Sequence, residues 1–253
     1  MSKNIAIIFA GGSGARMGSG LPKQFIEING KPIIIHTLEN FEDHPQIDAI
    51  YIACKKDYVG KLEKLVQKHM IEKTRKIIEG GNTAMESAYK ALKTAENDFS
   101  KDDIVLIHDG VRPYITSELI SDNIASVKEN GNAVTCTAMY ETPIVSDNGQ
   151  CVDQVMERDK FFTAQAPQSF FLGDIIGAHE KIRSENPDYT GIVDACTLVR
   201  ATGKEVSIVE GNRGNIKITT PEDLYLFRGL LQYKETSQAY GLTEKEIPDV
   251  LKK

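Results

Sequence analysis

Short β-branched runs that alternate with longer amphipathic stretches constrain this chain more than any other feature of its sequence. The apolar runs lie at Ile5 to Phe9, Ala49 to Ala53, Lys76 to Ile78, Ile104 to Ile107 and Ala133 to Thr137. Between them, apolar residues at helical spacing mark Pro32 to Asn40, Tyr58 to His69, Ala84 to Ala95 and Ser117 to Glu129. Strands separated by helices re-enter a sheet in parallel, and parallel sheets need helices on both faces. The expected fold is therefore α/β, a doubly wound, mostly parallel sheet. Ligands in such sheets sit beyond the carboxyl ends of the strands.

The alternation breaks between Met139 and Lys160, where two alternating strands flank the turn Asp147-Asn148-Gly149. Exposed strand edges invite another chain, so a hairpin here is either a homodimerisation arm or an ordinary surface hairpin. After it come helices near Gly173 to Arg183 and Ile192 to Ala201, and a strand from Glu205 to Val209. Thr220-Pro221-Glu222-Asp223 then opens a last helix, with proline at its first position and carboxylates in its first turn. The chain turns polar after Tyr233. The expected organisation is a single domain over residues 1–235, with the β-arm at about 139–160 and a polar tail at 236–253.

Composition excludes several classes. A formal charge of −6 over 253 residues argues against a general polyanion-binding surface, so nucleic acid is not an expected partner. Any cationic site must be local. Cys54, Cys136, Cys151 and Cys196 lack metal-ligand spacing and read as reduced thiols. No run is long and apolar enough to span a bilayer, and the amino-terminal run enters glycine directly, unlike an export signal. A cytoplasmic protein without membrane partners is expected.

The chemistry begins at Ala10-Gly11-Gly12-Ser13-Gly14-Ala15-Arg16-Met17 and continues to Pro22-Lys23-Gln24. Glycines straight after a strand let backbone N–H groups converge on phosphate oxygens, and Arg16 and Lys23 add counter-charge. A dinucleotide fingerprint begun at Gly12 would need glycine at Met17, and no Gly-Lys-[Ser/Thr] completes a P-loop. The phosphates are cradled in another style. A second constellation, His108-Asp109-Gly110-Val111-Arg112-Pro113, follows the strand Ile104 to Ile107. A carboxylate placed there, Asp109, suits Mg²⁺, which takes hard oxygen ligands and completes its shell with water and phosphate. His108 reads as a hydrogen-bonded scaffold group and Arg112 as a tie for the loop.

These residues resemble the cytidylyltransferases that make CDP-methylerythritol and CDP-ribitol. The resemblance runs through Leu230, anchored by AGGSGARM, PKQ, HDGVRP, APQSF at Ala166 to Phe170 and NIKITTPEDL at Asn215 to Leu224. It implies a Rossmann-like fold of the nucleotide-diphospho-sugar transferase type. It further implies that Ala10, Gly11, Gly12, Ser13 and Gly14, with Arg16 and Lys23, bind the triphosphate of CTP. Asp109 would hold Mg²⁺, Lys217 would contact phosphate, and Gly81 and Ser87 would lie beside cytosine and ribose. Thr142 and Arg158, on the arm, match residues that reach across a dimer to the acceptor's phosphate. Family members often carry an arginine in the segment written here Gly80-Gly81-Asn82-Thr83-Ala84-Met85, and this chain has none.

Val193-Asp194-Ala195-Cys196 and Ala239-Tyr240-Gly241-Leu242 resemble the ribitol phosphate branch, which supplies CDP-ribitol for surface polymers. Two other readings stay open: methylerythritol phosphate as acceptor, and a nucleotide-binding regulatory protein that has lost turnover. In the favoured reading an acceptor phosphate oxygen attacks the α-phosphorus of CTP in line. Arg16, Lys23, Lys217 and Mg²⁺ would neutralise charge growing on pyrophosphate.

Overall fold

A computed structural model describes residues 2–12 and 21–239. The strands are β1 (Asn4–Ala10), β2 (Glu27–Ile28), β3 (Lys31–Pro32), β4 (Ala49–Cys54), β5 (Thr74–Glu79), β6 (Ile104–Asp109), β7 (Asn132–Ala138), β8 (Ile144–Val145), β9 (Gln154–Val155), β10 (Phe162–Phe171) and β11 (Ile208–Glu210). The helices are α1 (Ile33–Glu42), α2 (Val59–Lys68), α3 (Ala84–Ala95), α4 (Ser117–Asn130), α5 (Leu172–Glu185), α6 (Ala195–Ala201) and α7 (Pro221–Ala239). Seven strands form the central sheet in the order β11-β7-β10-β6-β1-β4-β5. All neighbours are parallel except β10, which runs antiparallel to both β6 and β7.

Alternation along β1 shows why the sheet is covered on both sides. Ile5 and Ile7 point into a core closed by α3, α5 and α6, whereas Ala6 and Ile8 point into one closed by α1, α2 and α4. All four side chains are fully buried. At about 25 cal/mol per Å² of apolar surface removed from water, burial on both faces makes such strands a large source of stabilisation. Local chemistry fixes the helix starts. The Thr83 hydroxyl accepts from Glu86 N at 3.0 Å to open α3, and Asp194 accepts from Thr197 N at 2.8 Å to open α6. The Asp223 carboxylate accepts from Thr219 N and Thr220 N at the start of α7, which runs on past Tyr233 to Ala239.

Within the central sheet, strand β10 is not announced by sequence periodicity. Polar Thr163, Gln165, Gln168 and Ser169 interrupt its apolar residues, and Pro167 removes a backbone donor from a sheet interior. The structure accommodates the proline where the β10–β7 register shifts, between Ala164 and Gln168. Between Met139 and Lys160 the arm is present, with strands of only two residues each: Ile144 pairs with Val155 and Val145 with Gln154. Gly149 takes φ +70° at its tip, and the Asn148 side-chain oxygen accepts from the amides of Gln150 and Cys151. No residue from Ala138 to Ala164 is buried.

A third, smaller cluster positions the site. Ile28, Ile33, Val111, Ile218 and Phe227 pack together, with Ile216 against them. Ile218 N donates to Val111 O at 2.9 Å, which ties the segment before α7 to the loop after β6. Because Ile216 and Ile218 turn inward, Lys217 between them faces the opposite way.

Candidate active site

Lys217 Nζ donates to Asp109 Oδ1 at 2.8 Å, and Arg112 Nε donates to Asp109 Oδ2 at 2.9 Å. Both carboxylate oxygens are thus engaged by cations. Arg112 is fixed from behind, since its Nη1 donates to Asn215 O at 2.8 Å. Burial by itself would raise the Asp109 pKa. The Lys217 ammonium and the Arg112 guanidinium outweigh it and hold the carboxyl at about 2. Asp109 is therefore an ionised, preorganised oxygen donor at the carboxyl end of β6.

His108 is fully buried, and its Nε2 donates to Arg112 O at 3.1 Å. A carbonyl can only accept, so this bond fixes the tautomer. Burial lowers its pKa to about 4 and keeps the imidazole neutral. It braces the loop that carries Arg112, as its scaffold reading anticipates.

Lys23 contacts the same segment at the residue after Lys217. Pro22 precedes a single helical turn, Lys23–Phe25, in which Gln24 Nε2 donates to Ala10 O at the end of β1. That bond holds the turn against the glycine loop. Lys23 Nζ donates to Ile218 O at 2.8 Å, and a Cβ placed on Gly12 would lie 3.6 Å from Lys23 Cε. The structure therefore brings Ala10, Gly11, Gly12, Lys23, Asp109 and Lys217 to one region. Ser13, Gly14 and Arg16 lie outside the described residues.

A cavity of about 250 Å³ opens beside Asp109, Arg112 and Lys217, bounded by the start of α3, by β10 and by the start of α6. Ala84, Met85 and Ala88 of α3 face it, whereas Gly81 and Ser87 stand at that helix's entrance. There Gly81 N donates to Ser87 Oγ at 2.9 Å, and Ser87 Oγ donates to Thr83 O at 2.8 Å. Thr142 and Arg158 are exposed on the arm and do not line this cavity within the single chain.

Two residues carry no role read from the sequence: Gln168 in the cavity wall, and Asn215, which bonds to the wall residues Gln165 and Ala166. Gln168 Nε2 donates to Asp194 Oδ2 at 2.8 Å while its Oε1 accepts from Cys196 N, which locks β10 to α6. Fully buried Asn215 donates to Ala166 O at 2.6 Å and to Gln165 Oε1 at 3.2 Å. The available signal was their position inside APQSF and NIKITTPEDL, although neither residue type by itself suggests a strut.

Magnesium can be tested against this geometry. Asp109 offers an ionised carboxylate, and no group of three His, Cys, Asp or Glu residues could hold a metal among the described residues. Among the described residues, the share of a Mg²⁺ shell would be that one carboxylate, with water and phosphate completing it, which fits the ion's preference. Access to Oδ1 requires Lys217 to swing away. Its side chain is 46% exposed, against 12% for Arg112, so Lys217 is the movable partner.

Fold and site together define a class: a doubly wound α/β protein whose cation-lined cavity opens beyond the carboxyl ends of its parallel strands. The family model for IspD, 2-C-methyl-D-erythritol 4-phosphate cytidylyltransferase, matches residues 4–232. The chain belongs to this cytidylyltransferase family and is thus a nucleotidyltransferase by descent. It is 42% identical over 240 residues to a ribitol-5-phosphate cytidylyltransferase of Streptococcus agalactiae serotype III (strain NEM316), covering 94% of this chain and 100% of that one. It is 38% identical over 233 residues to a 2-C-methyl-D-erythritol 4-phosphate cytidylyltransferase of Clostridium botulinum (strain Okra / Type B1), covering 92% and 99%. The crystal structure of 4-diphosphocytidyl-2C-methyl-D-erythritol synthase from Anaerococcus prevotii DSM 20548 superposes with a TM-score of 0.78 at 29% identity, covering 91% of this chain and 96% of that one. No helix among the described residues is long and apolar enough to cross a membrane.

Proposed function

We propose that this chain transfers CMP from CTP to D-ribitol 5-phosphate, giving CDP-ribitol and pyrophosphate. The observation that carries the chemistry is the clamp of Arg112 and Lys217 on the ionised Asp109 beside one cavity, with Lys23 bonded to the residue that follows Lys217. Two anionic substrates repel each other, and a site that concentrates fixed cations lowers the cost of bringing them together. The acceptor's phosphate is already ionised near neutral pH, so no general base is needed. One of its oxygens attacks the α-phosphorus, a new P–O bond forms, and the bond to the bridging oxygen of the β-phosphate breaks on the opposite side. The electron pair leaves on pyrophosphate.

Within that reading, Gly11, Gly12 and Lys23, with Ser13, Gly14 and Arg16, grip the triphosphate, and Lys217 leaves Asp109 for phosphate. Gly81 and Ser87 face cytosine and ribose. Mg²⁺ held by Asp109 would add a divalent charge at the phosphates. Ribitol 5-phosphate is favoured as acceptor by the relatives that share 42–43% of residues across nearly the whole chain. Methylerythritol phosphate is the second reading, favoured by the family model's description and by relatives at 36–38% identity. Ile144 and Val155, paired and exposed on the arm, support a homodimer in which Thr142 and Arg158 serve the partner's acceptor site.

Purified protein with CTP, Mg²⁺ and each polyol phosphate, assayed for pyrophosphate, tests the proposal. A higher kcat/KM with ribitol 5-phosphate is expected. Preference for methylerythritol phosphate would replace the acceptor, and CTP binding without release across the panel would replace the enzyme by a regulatory protein.

A further inference from the structure

The turn that leads into Lys217 also carries an exposed cation with no part in the site above. This turn, residues 211–215, is rigidly tied to the sheet. Gly211 N donates to Cys136 O at 2.7 Å, Asn215 N to Asn212 Oδ1 at 2.9 Å, and Gln165 Nε2 to Asn212 O at 3.3 Å. Gly214 is packed so closely on Tyr114 that an added Cβ would stand 2.8 Å from the ring. From this block the Arg213 guanidinium lies over the Tyr140 ring, 4.2 Å from its centroid.

Tyr140 is where the arm leaves the sheet. Met139 N still donates to Phe161 O at 3.1 Å, and beyond it the arm contains no buried residue to set its direction. Arg158 Nη1 donates to the Tyr140 carbonyl at 3.3 Å. Tyr140 therefore receives Arg213 on its ring and Arg158 on its backbone, so a fixed point of the body is linked to the arm's own cation through a single residue. An arginine stacked on an aromatic face is held by ring quadrupole and by dispersion, both of which orient it.

We propose that Arg213 is a positioning residue for the acceptor: it holds the arm root through Tyr140, so that Arg158 is presented at a fixed angle. The inference rests on the assignment of the arm to the acceptor's phosphate. It adds a residue outside the cavity whose loss is felt by one substrate only.

The test uses the full-length protein and the variants Arg213→Met, Arg213→Lys and Tyr140→Leu, with amide hydrogen exchange over residues 139–160 and KM for both substrates. Arg213→Met is expected to speed exchange in the arm and raise KM for ribitol 5-phosphate about two- to five-fold, the worth of an exposed cation–π contact, with KM for CTP unmoved. Arg213→Lys restores part of the loss. Adding Tyr140→Leu to Arg213→Met should cost nothing further, because both remove the same contact. Unchanged exchange in the arm, or a parallel rise in both KM values, overturns the proposal. Arg158→Ala separates the two levels: if it too leaves acceptor KM unmoved, the arm's assignment fails and Arg213 falls with it. If Arg158→Ala raises that KM while Arg213→Met does not, the positioning role alone is wrong.

Discussion

The Lys23 ammonium donates to the Ile218 carbonyl at 2.8 Å, joining residues 195 positions apart in sequence. That bond brings Lys23 to the segment that carries the other lysine, since Lys217 immediately precedes Ile218. The two lysines differ in burial: Lys23 is 8% exposed, whereas the Lys217 side chain is 46% exposed. Lys23→Met and Lys217→Met should each lower turnover on the order of 10²-fold, the usual cost of removing a preorganised electrostatic partner. Lys23→Met should also destabilise the fold, by about 1–3 kcal/mol, because it strips a buried hydrogen bond, and by more than Lys217→Met, whose half-exposed ion pair with Asp109 is screened by solvent. Pyrophosphate release and urea denaturation on both variants read the two effects separately, and equal stability losses would refute the distinction.

Asp109 links the site to pH. Its folded pKa, about 2, lies below the unfolded value of 3.8, so the unfolded chain binds the proton more readily. The resulting stabilisation is complete above about pH 4 and is lost as pH falls through about 2. Comparing wild type with Asp109→Asn by denaturation between pH 6 and 2 should show a stability difference that is flat at first and shrinks below pH 4. A difference independent of pH would mean that Lys217 and Arg112 do not hold the carboxylate.

His108 acts in a higher window. Its pKa is lowered by burial from 6.5 to about 4, so the neutral folded form contributes stability fully above pH 6.5 that disappears as pH falls toward 4. Burial also lowers His36, His44 and His179, and the wild-type curve sums all of them. The difference between wild type and His108→Gln isolates this residue. It should lose its slope outside the interval from pH 6.5 to 4, while turnover at pH 8 stays within a few-fold because the imidazole faces Arg112 O and not the cavity's solvent.

How much of this was legible beforehand depended on the kind of signal each residue carries. Ile5 to Phe9 and Ile104 to Ile107 announce buried parallel strands because runs covered on both faces must be apolar throughout. Thr220-Pro221-Glu222-Asp223 announces the start of α7 because capping is local chemistry. Phe162–Phe171 carries no such mark: its polar residues bond to Asn123, Asp194 and Asn215 from distant segments, so its place in the sheet is a tertiary fact. The same holds in the site. Asp109 is readable as a strand-end carboxylate, but its two-sided clamp by Lys217 and Arg112 depends on Ile218 being buried beside Val111, which no window around either residue contains.

Gly110, inside the loop after β6, shows how tightly this clamp is built. A Cβ there would lie 2.5 Å from Ile34 Cδ1 and 2.6 Å from the Phe9 carbonyl. The carbonyl is backbone and pairs with Gly110 N at 2.8 Å, so it cannot retreat. Gly110→Ala should therefore destabilise by about 1–3 kcal/mol, the range for overpacking, and displace Asp109 next to it. Thermal denaturation that leaves Tm unchanged would show that the loop can relax.

The arm supplies the last expectation. Ile144 and Val155 face each other across its two-residue ladder and are 54% and 64% exposed, so their apolar surface is left in water by the single chain. A two-stranded ladder this short is marginal alone, and pairing with a second copy would both cover these side chains and complete the strand edges. Val155→Asp places a charge in that contact, whose desolvation cannot be matched by any cation directly opposite, because its ladder partner is Ile144. Sedimentation should show a dimer for wild type and a shift toward monomer for Val155→Asp. On the proposed assignments, acceptor KM should rise in the same variant, since Thr142 and Arg158 would no longer reach a neighbour's cavity, and the affinity for CTP, whose proposed phosphate ligands belong to one chain, should hold. A wild-type monomer with full activity would remove the arm from the acceptor site altogether.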